Sequence, residues 1–282
     1  MGRLTDKHSA CNTLPNVRSV STFADAKSLW SSGKIPGKSS LTNFFLNQRS
    51  IERAIKKDNL WGIAQSGASL LLRRDRDFFH LYINFSDQEV LRTLLTKLNT
   101  ETPLVVDVIQ RNNSHHELIA ILKDAGFGSH RLLFRLNRKV HAIQKSTEVD
   151  SVGLANLTHA AEILNFLEKY FDKYSEQIPE IDEIEEAILN RQILLSLIDD
   201  EIAGFLYFES FGLASSLRYW FVNPKFRDQN IGSALIRHYL AVSCQNMSSH
   251  LWVVHDNYNA LSKYEHYGYT RDVLEDHVMI RR

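Results

Sequence analysis

Cysteine is nearly absent from this chain: Cys11 and Cys244 are the only two in 282 residues. They build no disulfide framework, and neither belongs to a CxxC or Cys/His spacing of the kind that holds zinc. Histidine does not fill that gap. His115 and His116 are adjacent, while His250, His255, His266 and His277 fall on no tight ligand spacing, so no metal centre is expected. Long apolar runs are missing as well. No stretch approaches the roughly 18 uninterrupted apolar residues that span a bilayer, and the opening "MGRLTDKHSACNTL" lacks the apolar core of a secretory signal. Asp6 stands where a myristoylation signal needs Ser or Thr. No basic run is interleaved with aromatics, and no nucleic-acid motif is present. Together these absences predict a globular protein of the reducing cytoplasm, with neither membrane nor nucleic acid as partner.

What the chain does have is apolar content and a hidden charge pattern. A hydrophobic share of 44% over 282 positions suffices for one large core or two ordinary ones. The formal charge is zero, yet residues 1–141 hold 21 Lys+Arg against 12 Asp+Glu, and residues 142–282 hold 12 against 21. The halves are therefore +9 and −9. Either they attract each other across an interface, or the basic half meets an anionic partner while the acidic half favours a cationic substrate.

Residues 1–40 are rich in Ser, Gly and Lys and read as an N-terminal arm with one helix-like piece, "TFADAKSLW". From Leu41, "LTNFFLNQRSIERAIKKD" reads as helix, and "LWGIAQSG", "ASLLLRR" and "FFHLYINF" as strands. A helix "DQEVLRTLLTKL", a strand "PLVVDVIQ", a helix "HHELIAILKDAGF" and a strand "RLLFRLNRK" follow. The second half repeats that order. Its first helix, "THAAEILNFLEKYFDKY", sets Ala160, Ile163, Leu164, Leu167, Phe171 and Tyr174 on one stripe, and Pro179 opens the acidic helix "PEIDEIEEAIL". Strands "QILLSLID", "IAGFLYFES" and "LRYWFVN" precede a helix "GSALIRHYLAVSC", a strand "HLWVVHD", a helix "NALSKYEHYGY" and a strand "DHVMIRR". "DAGF" and "HYGY" end equivalent helices, with Gly126 and Gly268, 142 residues apart, as left-handed C-caps. The reading is an internal duplication: an arm at 1–40, an α/β domain at 41–141 and a second at 142–282.

The segment between "FVN" and the helix "GSALIRHYL" is where chemistry concentrates. The first amides of a helix have no internal partners and its dipole favours an anion, so Arg227, Asp228, Gln229, Asn230, Ile231, Gly232 and Ser233 form a candidate phosphate cradle. Gly232 permits close backbone approach and positive φ, Asn230 tolerates left-handed geometry, and Arg227 adds a charge-assisted contact. Taken alone, one glycine in a strand–helix turn also reads as plain connection geometry.

The stretch "VNPKFRDQNIGSALI" resembles the acetyl-CoA-binding motif of the GCN5-related N-acetyltransferases, Arg/Gln-x-x-Gly-x-Gly/Ala after a strand. Arg227, Asn230 and Gly232 take its three defined positions, with Asn230 in place of the first glycine. The family's second motif, Asn-x-x-Ala-x-x-x-Tyr-x-x-x-Gly-Phe, is met by "NYNALSKYEHYGY" through Asn257, Ala260, Tyr264 and Gly268, with Tyr269 for Phe. The resemblance covers approximately residues 150–282. It implies an α/β (α+β) architecture of mixed, mostly antiparallel sheet flanked by helices, in which the fourth and fifth strands splay. It implies acetyl-CoA as cosubstrate and no metal. Carried over by position, Phe221, Val222 and Asn223 would supply main-chain partners for the pantetheine arm, and Arg227 to Ser233 would hold the pyrophosphate. Asn257 would bond the pantetheine from the other side, and Tyr264 would stand near the thioester sulfur.

Such a site implies an N-acetyltransferase in which an amine attacks the thioester carbonyl. Tyr264 is then a proton donor to the departing thiolate, against a tyrosine merely packed on a helix face. The amine must lose a proton at neutral pH, and Glu209 and His255 are the candidate bases; each also reads as an ordinary strand-end residue. The acidic segment Glu180, Asp182, Glu183, Glu185 and Glu186 would suit a cationic acceptor, or is simply a solvated helix face. The first half sets His115, Leu118 and Leu122 where Asn257, Ala260 and Tyr264 stand and has no cradle, so it reads as a degenerate copy. Other readings stay open: a non-catalytic CoA-binding or protein-interaction module, or an acyltransferase that uses a longer acyl-CoA or an aminoacyl-tRNA.

Overall fold

A computed structural model describes residues 17–139, 151–243 and 248–282. Cys11, Cys244 and the first part of the arm lie outside the described residues. In chain order the first half forms β1 (Arg18–Ser19), α1 (Phe23–Ser31), β2 (Leu41–Thr42), α2 (Gln48–Lys56), β3 (Leu60–Gln65), β4 (Ala68–Asp75), β5 (Phe78–Phe85), α3 (Gln88–Lys97), β6 (Leu104–Arg111), α4 (His116–Asp124) and β7 (Gly128–Lys139). The second half forms β8 (Gly153–Leu154), α5 (Ala160–Tyr170), α6 (Ile181–Leu189), β9 (Ile193–Ile198), β10 (Glu201–Phe211), β11 (Ala214–Val222), α7 (Ile231–Val242), β12 (Ser248–Val254), α8 (Tyr258–His266) and β13 (Thr270–Arg281). No helix among the described residues is long and apolar enough to cross a membrane.

Contacts divide the chain into unit 1, residues 1–132 with 274–282, and unit 2, residues 133–273. These limits differ from a single cut at 141/142. Residues 133–139 of β7 pair antiparallel with β12 in unit 2, and residues 274–281 of β13 pair antiparallel with β6 in unit 1. Each sheet is thus closed by a strand from the other half of the chain.

Unit 1 has the strand order β1, β3, β4, β5, β6, β13, with β5 and β6 its parallel pair. Side chains alternate across the sheet. Leu70 and Leu72 pack with Leu91, Leu95, Leu118 and Leu122 of α3 and α4, while Leu71 packs with Leu29 and Ile51 of α1 and α2. Unit 2 has the order β7, β12, β11, β10, β9, β8, with β11 and β12 parallel. Leu194 and Leu206 pack with Leu235 and Tyr239 of α7, and Leu195 and Phe205 with Ile163, Leu167 and Ile184 of α5 and α6. Each fully buried Leu or Phe contributes about 1.5–3 kcal/mol, so both layers hold their sheet. Two identical Schellman closures carry the duplication into local geometry. Phe127 N–H donates to Leu122 and Tyr269 N–H to Tyr264, at 2.9 and 3.1 Å, with Gly126 and Gly268 at φ +88° and +83°.

Three helix boundaries differ from the sequence expectation. The helix expected from Leu41 begins at Gln48, because Thr42 and Asn43 bond to main chain and Asn47 caps by accepting Ser50 N–H at 3.1 Å. The stripe through Phe171 and Tyr174 stops at Tyr170. Phe171 turns extended to pack on the Tyr219 ring, 5.2 Å between centroids, and Asp172 accepts from the Tyr174 and Ser175 amides. Pro179 precedes α6 rather than opening it; Glu180 and Glu183 form a capping box there.

In both units the parallel strands stay paired over only two or three residues, Phe79↔Leu104 to His80↔Val105 and Ala214↔Ser248 to Ser216↔His250. Unit 1 bridges the opening with its own chain. The Asn43 amide donates to the Leu81 and Asp107 carbonyls at 3.2 and 2.9 Å, and Asn43 Oδ1 accepts from Ile83 N–H at 2.7 Å. The main-chain groups of two separating strands are thereby satisfied without a ligand.

Candidate functional site

Unit 2 leaves the corresponding space open. The β10–β11 register shifts between Tyr207 and Phe208, so Arg218 has no cross-strand partner in β10 and β11 bends away from β12. Past this bulge Tyr219 and Phe221 join the core under α5 and α6, while Trp220 and Val222 pack toward α7 and α8. The opening is a cleft of about 940 Å³ walled by residues of β11, the 226–233 turn and α8.

The start of α7 forms part of the cleft wall. Asp228 and Asn230 take left-handed backbone conformations, φ +66° and +59°, and Asn230 provides no side-chain cap. The first helical bond runs from Ala234 N–H to the Asn230 carbonyl at 3.0 Å, which leaves the Ile231, Gly232 and Ser233 amides at an uncapped helix start. Such a terminus is built to receive an anion. Gly232 serves here through close approach, not positive φ. A Cβ on it would stand 3.2 Å from Val222 Cγ2 and 3.4 Å from Trp220 Cζ2. Arg227 and Lys263 line the same cleft with exposed cationic side chains.

Tyr264, also in the wall, is 8% exposed, its ring 5.4 Å from that of Trp220. Its hydroxyl has no hydrogen-bond partner among the described residues. Burial, and then the Glu176 carboxylate and Tyr239, push its pKa far above the usual tyrosine range. Trp220 Nε1 is buried without a partner and belongs to the wall, a donor left for whatever fills the space.

Ten of the sequence-predicted residues line the cleft: Phe221, Val222, Arg227, Asp228, Asn230, Ile231, Gly232, Ser233, Asn257 and Tyr264. Asn257 also caps α8, accepting from Ala260 N–H at 3.1 Å. Asn223 is bound into the turn: its N–H donates to Ala203 O at 3.0 Å, its carbonyl accepts from Phe226, and its side chain reaches Ile202 O. Gln229 is exposed and outside the wall. Glu209 and His255 do not line it either. Glu209 is half-buried and accepts from the Tyr207 hydroxyl at 3.3 Å, and His255 is exposed beside Phe134, 6.0 Å between rings.

Trp220, Tyr170 and Lys263 escaped sequence reasoning. Only Trp220 carried a legible signal, as the residue of "RYWFV" alternating with Phe221. Tyr269, where the motif has Phe, is explained by a buried hydroxyl chain. Tyr269 and Tyr239 each lie 2.7 Å from Ser249 Oγ, and Tyr239 lies 2.8 Å from Ser215 Oγ. This chain ties β11, α7, β12 and the turn between α8 and β13 together just before the strands part.

A cleft whose wall combines uncapped helix-start amides, an unpartnered indole donor and a protonated phenol can hold an anionic ligand and steady a developing negative charge. A family model described as "Acetyltransferase (GNAT) domain" matches residues 190–271. Solved structures with the same fold include a GCN5-related N-acetyltransferase from Sphaerobacter thermophilus, at TM-score 0.57 and 13% identity over 95% of this chain and 96% of that one. A GNAT-family acetyltransferase from Colwellia psychrerythraea aligns at TM-score 0.54 and 12% identity, covering 94% and 98%. A tandem GNAT protein from the clavulanic acid biosynthesis pathway aligns at 0.55 and 9%, covering 91% and 87%. No curated protein sequence matches the chain.

Proposed function

The chain belongs to the GCN5-related N-acetyltransferase superfamily, and from that premise we propose that unit 2 transfers an acetyl group from acetyl-CoA to a primary amine of a small molecule or peptide. One observation carries the reading: the uncapped start of α7 and the buried Tyr264 line one cleft. The residues fit the cosubstrate. The Ile231, Gly232 and Ser233 amides with Arg227 would hold the pyrophosphate, the unpaired edge of β11 at Phe221 and Val222 would meet the pantetheine, and Trp220 Nε1 would donate into the same channel.

Acetyl-CoA supplies an activated acyl group, and the amine displaces the thiolate. Tyr264 donates a hydrogen bond to the sulfur as its charge grows. Its raised pKa adjusts the role expected of a general acid. A phenol whose pKa lies above that of a thiol, ordinarily about 8.5, gives up its proton at a cost of about 1.4 kcal/mol per unit of difference. Tyr264 therefore acts chiefly as a donor that keeps its proton close, with full transfer late and to an already hydrogen-bonded sulfur. The Glu176 carboxylate, which bears electrostatically on Tyr264, joins Glu209 as a candidate to receive the amine's proton, directly or through water.

Thermal denaturation with acetyl-CoA and a thiol-release assay over pooled primary amines test the reading together. Acetyl-CoA should raise Tm, and Gly232→Glu, which sets bulk and charge against Val222 and Trp220, should abolish the rise. An unchanged rise in the variant would defeat the seat, and thiol release with no amine in the pool would defeat the activity.

A further inference from the structure

Unit 2 carries a second set of polar groups on the far side of β11 from the cleft's α7 wall, of which the proposed reaction uses only the carboxylates Glu209 and Glu176. It is organised by the β11 bulge. Arg218, the residue without a cross-strand partner in β10, lies against Tyr219 with its guanidinium carbon 5.9 Å from the ring centroid. The neighbouring pairs Glu209↔Ser216 and Ser216↔His250 bring Glu209 and His250 beside it on the flanking strands. The Tyr207 hydroxyl donates to Glu209 Oε1 at 3.3 Å, and the Tyr219 hydroxyl reaches the Glu176 and Gln177 carbonyls at 2.7 and 2.9 Å. Phe171, packed 5.2 Å from the Tyr219 ring, lines the cleft, and Glu176 bears electrostatically on both Tyr219 and Tyr264, so this cluster adjoins the cleft.

Two arginines in this neighbourhood differ in how their charge is spent. Arg135 places Nε and Nη2 on Asp272 Oδ2 at 3.1 and 2.6 Å. Arg218 is half-buried and forms no ion pair with any described residue. Burial opposes its charge, but the contact with Tyr219 and the nearby Glu209 carboxylate favour it. His250 beside it is held neutral by burial and by Arg135 and Arg218, against the pull of Glu209 and Asp272. A guanidinium fork with no carboxylate partner, next to carboxylates that suit an ammonium, is the complement of a molecule carrying both charges.

We propose, resting on the acetyl-transfer reading above, that the acceptor is an amino acid or a compound of that class, its carboxylate bonded by Arg218 and its amine drawn by Glu209 and Glu176 toward the thioester end of the cleft. The charge pair fixes the amine's orientation, and an acceptor without the carboxylate forgoes the ion pair with Arg218. Discrimination of this kind is strong because the penalty falls on the wrong substrate.

The test is thiol release with acetyl-CoA over a panel of free α-amino acids, the same amino acids as their amides, and simple alkylamines. The expected result is turnover of at least one free amino acid with kcat/KM at least ten-fold above its amide. In Arg218→Met that ratio should collapse toward one through KM, while acetyl-CoA still raises Tm. Should the Met variant fold poorly, Arg218→Lys, which keeps charge but loses the fork, should still lower the ratio several-fold. Equal rates for amides or alkylamines, an unchanged ratio in both variants, or a Tm rise with acetyl-CoA but no acetylated amino acid would each overturn the proposal while leaving the cosubstrate seat standing. Absence of any Tm rise would sink the acetyl-transfer reading and this one with it.

Discussion

Replacing Asn43 by Ala should loosen unit 1 where its two parallel strands separate. The side chain makes three hydrogen bonds there, to Leu81 O, Asp107 O and Ile83 N. Each is worth about 1 kcal/mol net, the low end applying because Asn43 is only half-buried and water can reach part of what is left. The expected loss is therefore about 3 kcal/mol. A fold of this size shifts by about 2–4 °C per kcal/mol, so Tm of the unit 1 transition should fall by roughly 6–12 °C. Asn43→Asp sharpens the point. It keeps the acceptor for Ile83 N–H but removes both donors and sets a carboxylate against two carbonyl oxygens, so it should be at least as damaging as Ala. Calorimetry resolves the transition, and acetyl-CoA, for which the seat we propose lies in unit 2, should leave this loss unaltered. A Tm within 2 °C of wild type for Ala, or an Asp variant clearly more stable than Ala, would refute the idea that Asn43 donors hold the separated strands.

The remaining predictions concern unit 2 and a buried carboxyl of unit 1. Tyr264→Phe should lower kcat by about 10- to 100-fold, the worth of one hydrogen bond to a developing charge of about 1.5–3 kcal/mol, with little change in KM for acetyl-CoA. Because Tyr264 stays protonated through the alkaline range, wild-type activity should show no fall near pH 9 that the Phe variant lacks; such a difference in pH–rate profiles would contradict the assigned state. Tyr269→Phe matches the family motif yet should destabilise by about 1–2 kcal/mol, since Ser249 loses one of its two 2.7 Å partners inside the hydroxyl chain, and urea titration reads this as a lower midpoint at constant slope. Asp276 is raised above the usual carboxylate range by burial and by Asp107, and its Oδ1 is buried without a partner. Its raised pKa means stability present at low pH is lost as pH climbs toward that value, so Asp276→Asn should gain Tm over wild type at pH 7 and lose the advantage near pH 4. A gain larger at pH 4 than at pH 7 would reverse the sign of that argument.

Some of this molecule follows from local rules. Amphipathic periods marked most helices, "DAGF" and "HYGY" foretold two Schellman closures, and the R-x-x-N-x-G spacing identified the turn whose amides face the cleft. These signals are local because a helix end or a strand–helix turn is decided by the conformations a few residues allow. Where the reading misplaced a boundary, a side chain had found a tertiary partner: Asn43 between strands, Phe171 on Tyr219, Glu180 with Glu183 ahead of α6. Asn223 looked like a ligand residue by position, but its polar groups were already committed to Ala203, Ile202 and Phe226.

By itself the sequence determined the element order, the repeat and the turn that opens α7 beside the cleft, since periodicity, glycine placement and motif spacing are properties of short segments. Only the tertiary structure decided that β7 and β13 each complete the sheet of the other half, that Asn43 fills one strand opening while the other stays a cleft, and that Arg218 stands without an ionic partner beside Glu209. The physical reason is common to all three: strand partners, bulges and unpaired charges are set by residues distant in the chain, and no local preference encodes which of them will meet.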